Sequence, residues 1–194
     1  MINLVVASLI SEGYPAYSRR NSKNELCVPF QKEKSYYLRN YLKSFELGTF
    51  VDVEIRKEEM RIVLNDGLYQ LVNQWYEGNA KVFNTKIATE YLNNHAVILC
   101  INLFGTRKVE GIGIPTSISK SYLRTVSFSL EKILNLNVVI GNNQLKIIQV
   151  AELFLESYKN FSSIDCTEIA NFLTQTEKNK LRNAILKKGG ELYE

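Results

Sequence analysis

Glu12 stands directly before Gly13 at the end of an apolar run, Val5 to Ile10 followed by Ser11. A carboxylate at the end of a helix offers hard oxygen ligands that can hold a divalent cation beside a phosphate. The plain alternative is an exposed helix-end carboxylate. Arg19, Arg20 and Lys23 follow in one polar loop, and Arg107 and Lys108 lie in a second. Paired basic loops are what phosphate contact requires, because phosphate contacts supply most of the affinity for nucleic acid. Solvated turns carry the same residues. Tyr14 and Tyr17, close to Arg19, could stack on an unpaired base or pack within a hairpin. Arg56, Lys57 and Arg61 alternate with Glu54, Glu58 and Glu59 and make a poor phosphate track.

Other chemistries are excluded by what is missing. His95 is the only histidine, so histidine-rich metal sites are ruled out and a Ser-His-Asp triad is improbable. It is expected at a cap or on the surface. Cys27, Cys100 and Cys166 are odd in number and far apart, with no CxxC pair, and read as small core residues in a reducing compartment. No stretch of 18 apolar residues free of charge is present, so no membrane partner is expected. MINLVVASLISEG lacks a basic start and a small-x-small site and is not read as a signal peptide. The 194 residues, 45% hydrophobic with a net charge of +4, suit a folded, mildly basic protein.

The elements that must position these groups follow from hydrophobic spacing. Residues 2–10 predict a helix stopped at Gly13, and Pro15 with residues 18–24 a turn. Residues 25–30 predict a strand. Tyr37, Leu38, Tyr41, Leu42 and Phe45 lie on one face of a helix over 34–45. Strands are expected at 50–55 and 61–64, and a short amphipathic helix over 68–76. The order then restarts: one helix over 89–103 stopped by Gly105, a strand over 109–115, a helix over 119–134, a hairpin at 137–148 turning on Gly141-Asn142-Asn143, and a helix over 150–158.

The restart is visible in the letters. CVPFQKEKSYY at 27–37 and GIPTSISKSYL at 113–123 share Pro29 with Pro115, Lys34 with Lys120, Ser35 with Ser121 and Tyr36 with Tyr122, all offset by 86 residues. The expected architecture is α+β: a duplicated αββαββα unit with pseudo-two-fold symmetry. One unit spans 1–84 and the other 85–160, with a helical tail at 161–194. The tail carries Lys178, Lys180, Arg182, Lys187 and Lys188 beside a thin apolar stripe of Leu173, Leu181, Ile185 and Leu186, able to pack back on the body or on a partner.

This pattern resembles the LAGLIDADG homing endonucleases. VVASLISEG at 5–13 is similar to the family's first motif, and LNNHAVILCINLFGT at 92–106 to its second, with the strands and helices between them in the family's order. The resemblance covers residues 1–159. It implies that the two motif helices form a central interface, for which Ala7, Ser8, Ala96 and Cys100 are small enough. It also implies a saddle over nucleic acid formed by the loops holding Arg19, Arg20, Lys23, Arg107 and Lys108 with their adjacent strands. Each motif helix would then end in an acid that holds Mg²⁺ at one scissile phosphate.

The second motif departs from this. Leu103 and Phe104 stand where the family has acids before Gly105, and neither can ligate a metal. Phe104 is expected in the core, and Glu12 is left as the one residual candidate for catalysis or metal binding. The expected function is therefore nucleic-acid binding without cleavage and without a cofactor. RNA is favoured over DNA, as in an intron maturase or a ribonucleoprotein subunit, on a pseudo-symmetric monomer. The alternative is an active or recently decayed endonuclease cutting double-stranded DNA with Mg²⁺. A third reading is a structural subunit held by protein contacts. The Asn, Lys and Ile content suggests an AT-rich coding source, an organelle matrix or stroma or a bacterial cytoplasm.

Overall fold

In the computed structural model, residues 1–18, 23–160 and 163–187 are described. The chain begins with α1 (Ile2–Ile10), the hairpin β1 (Tyr14–Ser18) and β2 (Lys23–Pro29), and α2 (Ser35–Ser44). A second strand pair follows, β3 (Val51–Glu54) and β4 (Glu59–Val63), then α3 (Asp66–Gln74) and a short hairpin, β5 (Tyr76–Glu77) and β6 (Ala80–Lys81). Next come α4 (Thr85–Tyr91), α5 (Asn94–Phe104), β7 (Thr106–Lys108), β8 (Gly111–Pro115) and α6 (Leu123–Leu134). The chain continues through β9 (Val138–Gly141), β10 (Gln144–Ile147), α7 (Val150–Asn160), α8 (Ser163–Ala170) and α9 (Gln175–Lys187).

The two large sheets are antiparallel and share one connectivity, β1-β2-β4-β3 and β7-β8-β10-β9. The windows that resemble each other in sequence fall on the same local structure. Each runs from the end of a second strand through a 3₁₀ turn, at Lys32–Lys34 and Lys120–Tyr122, into the following helix. One continuous core joins the sheets' inner faces to α1 and α5.

Three details differ from the sequence expectations. The run 89–103 is two helices, because the Asn93 side chain accepts from the amide of Ala96 at 3.0 Å and starts α5 afresh. Asn65 and Asn84 cap α3 and α4 in the same way. The segment around Pro15 is a strand, with proline on an edge where its missing N–H costs no ladder bond. Residues 106–108 pair as an edge strand with the one expected at 109–115.

The tail packs back on the body. Ile169, Phe172, Leu173 and Leu181 are buried, and α8 lies against α2, α5 and α7. Lys188 lies outside the described residues, as do residues 188–194 as a whole. Among the described residues no helix is long and apolar enough to cross a membrane.

Candidate nucleic-acid interface

The two motif helices pack on one another at the centre of the molecule. Ala7, Ser8, Ala96 and Cys100 are all buried, and the Ser8 hydroxyl donates to the carbonyl of Leu4 within its own helix. Asn93 Nδ2 donates to Asn3 Oδ1 at 3.0 Å, tying the N-terminal ends of the pair together.

Each helix stops where a glycine leaves no room for a side chain. A Cβ on Gly13 would lie 2.7 Å from the carbonyl oxygen of Ser8. One on Gly105 would lie 2.3 Å from the carbonyl oxygen of Ile101 and 2.8 Å from Cγ2 of Ile112. At both glycines the backbone N–H donates back to a carbonyl of the last turn, at 2.8 Å. The chemistry offered at the two ends is unequal. Glu12 is exposed. Leu103 and Phe104 are 0% and 3% exposed and belong to the core.

These residues do not fit a pair of metal sites. One carboxylate at one helix end faces apolar side chains at the other, and among the described residues no three His, Cys, Asp or Glu gather to hold an ion.

At the end of the first motif helix sits a group that sequence reasoning missed. Lys81 is 3% exposed, and its Nζ donates to the carbonyl oxygen of Ser11 at 3.0 Å. It satisfies a carbonyl left open at the end of α1, where a cation also complements the helix dipole. Burial lowers its pKa to about 7, opposed by the negative charge of Glu12 and by the Cys100 thiol. Burial in turn pushes the Cys100 thiol up. The sequence signal was a lysine inside the apolar stretch Ala80 to Phe83.

Strand register decides where the cations point, because residues directly opposite in an antiparallel ladder share a face. In the first sheet, Leu26, Ile62 and Val51 form a row on the core side. Lys23, Glu25, Cys27, Arg61, Asp52, Glu54 and Glu59 therefore occupy the open side. There Arg61 is bound to Glu59 at 2.9 Å, and Lys57 at the end of that face to Glu54 at 2.6 Å. With Arg61 and Lys57 already paired to acids and Asp52 exposed beside them, this face is unsuited to follow a phosphate backbone. Tyr14, opposite Cys27, is on the open side, and Tyr17, opposite Asn24, on the other.

In the second sheet Arg107 lies opposite Ile112, whose side chain is fully buried. Arg107 therefore points to the core side, where its Nη2 meets Glu177 Oε1 of α9 at 3.1 Å. Lys108, its neighbour, points the opposite way and is exposed, with Lys146 on the same face near Glu110 at 3.5 Å. Lys23 is exposed at the start of β2. Arg19 and Arg20 lie outside the described residues. His95 is exposed in the first turn of α5.

The tail holds the end of the second motif helix. Asn102 is fully buried, and its Nδ2 reaches Tyr37 Oη at 3.2 Å and both the backbone and side-chain oxygens of Asp165 at 3.3 Å. Tyr37 donates to Asp165 Oδ1 at 2.5 Å, and burial with that carboxylate raises its pKa. Lys34 pairs with Glu168 at 2.6 Å and sits 4.2 Å above the ring of Phe172. The apolar stripe at Leu173 and Leu181 made this docking partly visible in sequence; its polar partners carried no signal.

No protein-family model and no curated protein matches the chain. Among solved structures it is similar to the homing endonuclease I-WcaI bound to its DNA recognition sequence, at 13% identity and a TM-score of 0.54. The match covers 93% of this chain and 85% of that one. The likeness takes in the tail as well as the body, since residues 1–159 alone would cover less. The chain has the α+β fold of a LAGLIDADG homing endonuclease, with its two motif helices central.

Proposed function

We propose that this chain binds nucleic acid, RNA in preference to DNA, and does not cleave it. The observation that carries the reading is the inequality of the two motif ends: an exposed carboxylate at Glu12 against the buried side chains of Leu103 and Phe104. A double-strand cut needs anionic oxygens at two scissile phosphates, and one end has none to offer. The likeness to a DNA-bound homing endonuclease supports a nucleic-acid partner. The acids on the first sheet's open side speak against a duplex tracked along the whole saddle. Lys23 and Lys108, at strand ends beside the hairpin turns, remain the phosphate contacts together with Arg19 and Arg20. The common strand order of the two sheets supports reading 1–84 and 85–160 as duplicated units.

The test is a pair of assays on the full chain. A randomised duplex library is incubated with Mg²⁺ or Mn²⁺ and sequenced for new ends, and RNA and DNA affinities are measured side by side by fluorescence anisotropy. Binding without breaks is expected. Double-strand breaks that disappear in Glu12→Gln would overturn the reading in favour of an endonuclease.

A further inference from the structure

The solvent sides of α2 and α6 carry groups for which phosphodiester cleavage has no use. Tyr36, Arg39 and Lys43 follow each other at three and four residues and so share one face of α2. Arg124, Phe128 and Lys132 follow at four and four along one face of α6. All six are at the surface, Tyr36 at 77% exposure and Phe128 at 69%. The opposite faces of the same helices are buried through Tyr37, Leu38 and Leu42, and through Leu123, Val126 and Leu130.

Charge separates these faces from the sheets. None of the four cations forms an ion pair with a described residue. No acid lies within α2, and the only one in α6, Glu131, has its carboxylate accepting the amide of Val138. On the open sheet faces, by contrast, Arg61 and Lys146 both lie against acids. The described part of the tail engages α2 through Tyr37, while Tyr36, Arg39 and Lys43 are exposed.

A ring open to water with cations within a turn or two has the composition of a platform for single strands. The ring stacks on a base and the cations hold the flanking phosphates. A duplex cannot use such a ring, since its bases are already stacked. We propose that the outer faces of α2 and α6 are each a nucleic-acid contact, distinct from the loops after the motif helices, and that their ligand is single-stranded RNA. This rests on the nucleic-acid reading above and names the surface and strand state.

The probe is fluorescein-labelled oligo(U), because stacking tolerates any base. Affinity is measured over a salt series for the full chain and three variants. Reversing Arg39, Lys43, Arg124 and Lys132 to Glu should weaken binding at least about tenfold and lower the slope of log K against log salt by roughly 0.7 for each phosphate no longer neutralised. Tyr36→Ala with Phe128→Ala should cost about fivefold or more with little change in slope. All six positions are at the surface, so thermal melting should match wild type. Helix variants that bind oligo(U) like wild type, while Lys23→Glu with Lys108→Glu abolishes binding, would overturn this surface and leave the nucleic-acid reading standing. A wild type that prefers duplex DNA through the same helices would overturn the single-strand assignment. A wild type that binds neither oligo(U) nor duplex DNA would overturn the nucleic-acid reading itself.

Discussion

The ammonium of Lys81 and the carbonyl of Ser11, 3.0 Å apart, join the β5–β6 hairpin to the end of the first motif helix in a place where the lysine is almost wholly buried. That placement favours the neutral amine, and the pKa falls from 10.5 to about 7. The unfolded chain then binds more protons than the folded one between about pH 7 and 10.5, and in that window stability rises with pH. Below pH 7 both states carry the proton and the contribution is flat. At about 1.36 kcal/mol per pKa unit the full effect is on the order of 5 kcal/mol. Urea unfolding across this range should show that rise for wild type and lose most of it in Lys81→Met.

Glu12 acts on the same group. Its charge raises the Lys81 pKa against the stronger effect of burial. Glu12→Gln should therefore lower the Lys81 pKa further, read by NMR of the lysine side-chain carbon next to nitrogen. A pKa that rises or stays put would show that Glu12 does not face Lys81 in solution.

Phe104 is 3% exposed at the end of the second motif helix. Phe104→Asp exchanges packed apolar surface for a carboxylate with no partner. Loss of the ring alone costs about 3–5 kcal/mol, and the unpaired charge adds to it. A large fall in melting temperature is expected, and no gain of cleavage with Mg²⁺. A stable Phe104→Asp protein would place this side chain at the surface.

Gly105 tolerates no Cβ, because the carbonyl of Ile101 and the side chain of Ile112 already fill the space. The first contact is backbone and cannot swing aside. Gly105→Ala should destabilise by roughly 1–3 kcal/mol, the range of overpacked core sites, measured by chemical denaturation. Gly48→Ala, at a glycine with no atom within 4 Å of the added carbon, is the comparison and should change little.

Lys34 and Glu168 are largely buried together, with side chains 10% and 17% exposed. Breaking such a pair leaves one uncompensated charge, which costs about 3–5 kcal/mol. Glu168→Gln should thus loosen the tail, seen as faster hydrogen exchange in α8 and a lower melting temperature. Lys34→Met combined with Glu168→Met should recover most of the loss, since it removes both charges at once.

Local features of this chain were legible from its letters because they depend on near neighbours. The apolar runs ending at Gly13 and Gly105, the alternating strands, the Asn-Asn hairpin turn and the two similar windows at 27–37 and 113–123 all express spacing along the chain. So does the burial of Phe104, since an aromatic in place of an acid at the end of an apolar helix leaves it nowhere polar to go. What only the tertiary structure decided concerns faces and distant partners. Arg107 and Lys108 looked like one basic loop, but they fall in a strand, where successive side chains must point to opposite sides. One of them therefore meets the tail and the other meets solvent. Lys81 became a buried amine with a lowered pKa because the fold brings the β5–β6 hairpin against the end of α1. Tyr37, Asn102 and Asp165 share one buried site although the tail residue is more than sixty positions from the nearer of the other two. Such pairings follow from how the elements stack in three dimensions, and spacing along the chain does not encode them.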